Sequence, residues 1–262
     1  MTDPFNREDK EAELEFARKY DKMIPWEARL KREIPLLSQY LAGKYILDLA
    51  CSTGRHSFAL EKHGAKCIGL DYSEGMITVA NRLKKDLKSI AEFYQLDISS
   101  PSFLEELEEL SIKLNFEGAI LLGNAIANLG SYERAMNTLK NVYQVSEKNS
   151  IFILQTINRP MSAMYPPLRR VNGLILQRIF IPKSPTAEGD HNIELNVNLI
   201  DPLENTYKEQ NVSLLYMFTY DEFVEMVKRS GWHITASYGG YNKEPYSKED
   251  GKTVVWILSK SA

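Results

Sequence analysis

The sequence is poor in cysteine, in long apolar runs and in excess charge of either sign, and each shortage removes a class of function. Cys51 and Cys67 are the only cysteines in 262 residues, too few for a disulfide-stapled scaffold, and no His/Cys set has zinc spacing, so no metal is expected. Both fall at core-facing turn or strand positions, where a buried reduced thiol is expected. No stretch approaches the ~18 apolar residues of a membrane span, and Met1 to Glu8 holds no apolar leader core. A cytoplasmic protein without a membrane partner is therefore expected. With 32 basic against 35 acidic side chains, the net charge is −3, which gives no electrostatic reason to expect nucleic acid. A small-molecule substrate is the expectation that remains.

Glycine is also scarce at one informative place. The apolar run Ile46-Leu47-Asp48-Leu49 leads into Ala50-Cys51-Ser52-Thr53-Gly54-Arg55, a small-residue turn that opens a helix and suits a nucleotide-type cofactor. A second acid, Asp71, closes the next strand pattern about 20 residues on, the spacing of a carboxylate gripping a ribose through both hydroxyls. A pyrophosphate wants bare N–H groups from several glycines and would be repelled by Asp48, whereas this loop offers only Gly54. Asp48 and the carbonyl of Ala50 instead favour positive charge, as carried by the ammonium and sulfonium of S-adenosylmethionine (SAM). SAM is expected ahead of a nicotinamide dinucleotide.

With 44% hydrophobic residues the chain can bury a full core. Strand and helix patterns alternate from Lys44 to Ile157, the signature of a parallel sheet covered on both faces. Strands are expected over Lys44 to Ala50, Ala65 to Tyr72, Ala91 to Asp97, Phe116 to Asn124 and Ser150 to Ile157. Ser73 caps a helix with the apolar stripe Met76, Val79, Ala80, Leu83 and Leu87, and a second stripe runs through Ala135, Leu139, Val142 and Tyr143. Pro101 opens a helix over Ser102 to Leu114 whose glutamates read as a solvated face. From Leu174 to Phe218 the strand patterns have no helices between them and predict an antiparallel insert, with Asp201 to Asn205 turning between its last two strands. Thr219 and Glu222 form a capping box, and strands over Trp232 to Tyr238 and Thr253 to Leu258 follow. Glu8 to Tyr40 forms two helices broken near Pro25.

Asp48-x-Ala50-x-Ser52-x-Gly54 resembles the D/E-x-G-x-G-x-G loop of class I SAM-dependent methyltransferases, with alanine and serine in place of two glycines. The segments Gly123 to Leu129 and Tyr238 to Tyr246 extend the resemblance to the glycine/sarcosine N-methyltransferase-like branch of small-molecule enzymes. It implies a Rossmann-like α/β fold: a seven-stranded, mostly parallel sheet with its last strand antiparallel, helices on both faces, and the antiparallel β insert after the fifth strand. Residues 1–40 would form a helical lid, residues 41–157 and 219–262 the SAM-binding core, and residues 158–218 the insert over the substrate, which also offers a face for a homodimer.

The same resemblance implies site residues. Asp97 would accept from the adenine amino group and the Ile98 N–H would serve the ring, with Tyr72 and Met76 against the adenine. Arg29 or Arg32 would hold the methionine carboxylate. Leu122 and Gly123 open a segment beside the sulfonium in which Asn128 stands where the family has histidine. An amide cannot titrate near neutral pH, so a proton-accepting role is lost there. Asn124, Tyr20 and Tyr241, with Gln155 and Asn158, are expected to orient an amine acceptor. Ile157 falls nearest the register of the family's glycine-binding arginine, so glycine itself is not the expected acceptor; Arg159, Arg169 and Arg170 could contact a carboxylate instead. His191 and His233 are expected on strands or in solvent. The expected function is methyl transfer from SAM to a small molecule, on nitrogen by the branch resemblance, with O-methylation or a non-catalytic SAM-binding module as alternatives.

Overall fold

The computed structural model describes residues 10–157, 168–171, 173–182, 192–203, 206–247 and 253–261. Two helices, α1 (Lys10–Met23) and α2 (Trp26–Leu41), precede five alternating units. These are β1 (Tyr45–Leu49), α3 (Arg55–Glu61), β2 (Lys66–Asp71), α4 (Glu74–Leu87), β3 (Glu92–Gln95), α5 (Phe103–Glu109), β4 (Phe116–Leu121), a short 3-10 turn (Ala125–Leu129), α6 (Tyr132–Val145) and β5 (Ser146–Ile157). Strands β6 (Arg169–Val171), β7 (Leu174–Pro182), β8 (Asn192–Asp201) and β9 (Thr206–Tyr216) then form a separate antiparallel sheet, and α7 (Tyr220–Arg229), β10 (His233–Tyr238) and β11 (Thr253–Ser259) return to the main one.

The main sheet has the order β10-β11-β5-β4-β1-β2-β3. Pairing is parallel except around β11, which runs antiparallel to both neighbours. This is the Rossmann-like seven-stranded sheet with an antiparallel last strand that the sequence led one to expect. Its two faces are legible residue by residue, because successive side chains of a strand point to opposite sides. Leu47, Leu121, Phe152, Leu154 and Trp256 pack with α5, α6 and α7, while Ile46, Ile120, Ile153 and Ile257 pack with α2, α3 and α4. Trp256 and Trp232 are buried with their indole N–H groups donated to Thr156 Oγ1 at 2.9 Å and to the Leu139 carbonyl at 3.0 Å, so their burial leaves no orphan donor.

Several boundaries differ from the sequence pattern for local reasons. Helix α5 stops at Glu109 rather than running to Leu114, because Ser111 takes a positive φ of 57° and lets the Ile112 N–H return to the Leu107 carbonyl at 3.0 Å. Leu87 is exposed, since α4 ends beside it at Lys88 in the left-handed region. Strand β5 begins at Ser146, directly after α6. The insert carries a fourth, three-residue strand, β6, too short to announce itself in a period-2 pattern. The capping box of Thr219 and Glu222 forms as expected.

Helix α1 is placed by one glycine. A Cβ on Gly75 would lie 2.6 Å from the Glu13 carbonyl oxygen and 3.0 Å from the Leu14 nitrogen, so α1 crosses the start of α4 at a distance only glycine permits. Among the described residues no helix is long and apolar enough to cross a membrane.

Candidate cofactor and substrate site

The order of the main sheet reverses between β1 and β4: β2 and β3 continue on one side and β5 on the other. In an open α/β sheet such a switch leaves a crevice beyond the carboxyl ends of the strands, where ligands bind. A cavity of about 250 Å³ lies there, walled by the ends of β1, β2 and β4, the segment after β3, the 3-10 turn and the two N-terminal helices.

The β1–α3 loop bends through three left-handed residues: Ala50 at φ 50°, Ser52 at φ 51° and Gly54 at φ 76°. Only the last is glycine, so the two smallest side chains stand in a conformation that L residues avoid. Gly54 is required twice over, because a Cβ there would also meet the Phe93 ring at 2.5 Å. The bend presents Asp48, Ala50, Cys51 and Ser52 to the cavity. Asp48 is buried, accepts from Ser57 Oγ at 2.6 Å, and its carboxyl is pushed up by burial, against the pull of His56 and Ser57.

Asp71 accepts the Ser52 N–H at 2.8 Å on one oxygen and the Ser73 N–H at 2.9 Å on the other. A carboxylate has about four lone-pair sites, so two remain for a pair of hydroxyls. Burial raises its pKa to about 6, the two backbone bonds opposing and nearby Asp48 and Glu13 adding to the rise. Asp97 receives the Ser99 N–H at 2.9 Å and is paired with Arg134 at 3.0 Å; Arg134 itself lines the cavity. The thiols of Cys51 and Cys67 are free and buried, and burial lifts both above the usual thiol range.

The N-terminal helices supply the opposite wall with Phe16, Tyr20, Trp26 and Arg29. Asp21 ties α1 to the loop, taking Thr53 Oγ1 at 2.7 Å and Arg55 Nε at 2.9 Å. Arg29 lies beside Gly123, whose missing side chain leaves room for it: a Cβ there would sit 3.1 Å from the Arg29 Nη2. Its Nε is 3.2 Å from both carboxylate oxygens of Glu33, and Glu33 also receives Arg32 at 2.8 Å and His56 Nε2 at 2.7 Å. Burial alone would raise the Glu33 pKa, but His56 and the arginines overcome it and hold the carboxyl at about 2.

Of the expected site residues, Asp48, Ala50, Ser52, Asp71, Tyr72, Asp97, Ile98, Leu122, Gly123, Arg29 and Tyr20 share this one cavity. Arg32 is not in its wall; its side chain is 58% exposed and faces the Tyr241 ring at 6.0 Å. Gly54 shapes the loop from outside the wall. Met76 packs with Ala17 and Val79, where it fixes α1 on α4. Asn124 turns its Oδ1 to the Ile157 N–H at 2.9 Å. Tyr241 is buried and donates to Gln155 Oε1 at 3.0 Å, which also accepts the Gly123 N–H at 3.0 Å. Asn124 and Tyr241 thus stand behind the wall and fix the backbone that forms it. Arg170 and His233 are exposed; Asn158, Arg159, His191, Glu204 and Asn205 lie outside the described residues. Phe16, Trp26, His56, Arg134 and Glu33 were not anticipated.

A family model described as a methyltransferase domain matches residues 41–198. A glycine/sarcosine N-methyltransferase from Parasynechococcus marenigrum (strain WH8102) is 30% identical over 148 residues, 55% of this chain and 50% of that relative. A demethylmenaquinone methyltransferase from Symbiobacterium thermophilum is 29% identical over 165 residues, 60% of this chain and 58% of the relative. The chain therefore spans about half the length of the curated relatives it matches. Among solved structures, an S-adenosylmethionine-dependent methyltransferase from Clostridium acetobutylicum ATCC 824 superposes with a TM-score of 0.77 at 14% identity, over 95% of this chain and 98% of that one, a likeness of fold.

Proposed function

The chain belongs to the methyltransferase-domain family, within the class I, SAM-dependent enzymes, and from that premise we propose that it transfers a methyl group from SAM to a nitrogen of a small molecule by in-line displacement. The observation that carries the reading is the convergence, in one switch-point cavity, of three acids at the ends of successive strands and one arginine on the facing helix. Asp48 and the Ala50 carbonyl would hold the ammonium, Arg29 the carboxylate, Asp71 the ribose hydroxyls through its two remaining acceptor sites, and Asp97 with the Ile98 N–H the adenine. SAM supplies a methyl group already activated on a sulfonium. What is left for the protein is to align the acceptor in a site screened from water, which can contribute about 7–11 kcal/mol.

Nitrogen is favoured over oxygen by the lack of a titratable side chain in the stretch of wall that follows Leu122 and Gly123. The neighbouring cavity residues are Ala125, Asn128 and Leu129, none of which can take a proton near neutral pH. A neutral amine already has a free lone pair, whereas a hydroxyl acceptor would need a base. Asn128 and Tyr20 orient the amine in this reading, and Asn124 and Tyr241 act indirectly through the Ile157 and Gln155 contacts described above. In this reading the insert covers the acceptor and offers a face for a homodimer. Incubation with methyl-labelled SAM and a panel of small amines and hydroxy compounds, followed by mass spectrometry of the products, tests the reading. Methylated amines are expected; methylation confined to hydroxy compounds would overturn the nitrogen preference, and SAM binding without any transfer would favour a non-catalytic module.

A further inference from the structure

Glu33 is buried to 1% exposure, carries charge, and is absent from the cavity wall. A carboxylate is costly to bury and is kept only when its partners satisfy it. Its partners here are unusual in where they lead: of the three groups it holds, Arg29 and His56 both line the cavity. The bond geometry is specific. Glu33 engages Arg29 through Nε, on the stem side of the guanidinium. That leaves the terminal Nη pair, the fork that can bind both oxygens of one carboxylate, on the Gly123 side of the group. The Trp26 ring lies 5.2 Å from the guanidinium and meets His56 edge-on at 5.8 Å, so the three cavity side chains are braced against one another with Glu33 behind them.

We infer that Glu33 is a positioning residue for the cofactor's amino-acid end, holding Arg29 by its Nε so that the terminal fork meets the methionine carboxylate. The inference rests on the SAM reading above, and it makes a prediction opposite to simple electrostatics. Removing a buried negative charge next to Arg29 makes the site more positive, so a purely coulombic role predicts that Glu33→Gln tightens the hold on a carboxylate. A positioning role predicts that it loosens.

The test compares two nucleosides by calorimetry: S-adenosylhomocysteine, which carries the amino-acid end, and 5′-methylthioadenosine, which lacks it. In Glu33→Gln the first is expected to bind about tenfold or more weakly, the scale of one charge-assisted hydrogen-bond pair, and the second within about twofold of the unaltered protein. In an Arg29→Met background the same change is expected to add nothing further. Glu33→Asp keeps the charge but withdraws it from Nε, and carries the same comparison if Glu33→Gln does not fold. Equal weakening of both nucleosides would reduce Glu33 to a structural ion pair, and tighter S-adenosylhomocysteine would make its role coulombic; either overturns the inference. Failure of the unaltered protein to bind either nucleoside would overturn the SAM reading itself.

Discussion

Ser52→Gly is expected to stabilise this protein, against the usual rule that glycine weakens a fold. Ser52 holds φ 51°, and an L residue in the left-handed region costs about 1–2 kcal/mol. Glycine removes that cost but adds about 0.5–1 kcal/mol of unfolded-state entropy. The residue's contact with Asp71 survives, because that bond comes from the backbone N–H. The hydroxyl's own contact, to the Ala50 carbonyl, is a marginal 3.5 Å. The net gain is about 0.5–1 kcal/mol, a Tm rise of roughly 1–4 °C for a chain of this size. Ala50→Gly relieves the same strain at φ 50°, but its methyl packs against the core and is worth up to about 0.8 kcal/mol, so it should come out near zero.

Two glycines calibrate the argument within the same molecule. Gly43 has φ 73° with nothing within 4 Å of its would-be Cβ, so Gly43→Ala reads the left-handed cost less the entropy term, free of any collision, and should lower stability by about 0.5–1 kcal/mol. Gly54→Ala adds the collision with Phe93 at 2.5 Å and should cost about 2–4 kcal/mol in all. Thermal and urea unfolding of the four variants supply the numbers. A fall in Tm for Ser52→Gly alongside the expected fall for Gly43→Ala would refute the claim that this loop is strained.

Other outcomes follow from the same geometry. Burial pushes the Asp71 carboxyl up to about 6, and hydroxyls donating to its charged form must lower that value; SAM affinity should therefore be level above about pH 7 and weaken as pH falls through 6, a dependence Asp71→Asn should reduce in a calorimetric series. Glu33 has its pKa lowered from 4.5 to about 2 in the fold, so its contribution to stability is present above about pH 4.5 and lost as pH falls toward 2; acid unfolding of Glu33→Gln should show a shallower slope across that window. Gly75→Val should push α1 off α4, giving early proteolytic cleavage within Lys10–Met23 and roughly tenfold weaker SAM binding. The main sheet should unfold within a few degrees of its normal Tm, and cleavage resistance equal to the unaltered protein would contradict the role given to Gly75.

The fold was readable because period-2 apolar patterns and small-residue turns alternate so regularly from β1 to β5, and because Ser73, Thr219 and Pro25 mark helix ends by chemistry that needs no tertiary partner. The three acids of the cavity were readable for a related reason: Asp48, Asp71 and Asp97 sit near or just past strand ends, where sequence position and spatial position coincide. What tertiary contact alone decides was not readable. Asn124 and Tyr241 look like donors to a substrate until the chain brings Ile157 and Gln155 to them. Met76 is a cavity candidate only while the close approach of α1 at Gly75 is unknown. Glu33 did leave a trace, since it lies on the inward stripe of α2 with Leu30, Leu37 and Leu41, but its partner His56 is on another helix.

The central claim is that the switch-point cavity is a SAM site organised on Asp71. Titrating SAM into the protein by calorimetry, and then into Asp71→Ala, tests it most directly. One SAM bound per chain by the unaltered protein, with affinity lost or reduced by more than about tenfold in the variant, is the predicted result. Equal affinity in both proteins would place the cofactor elsewhere and contradict the account.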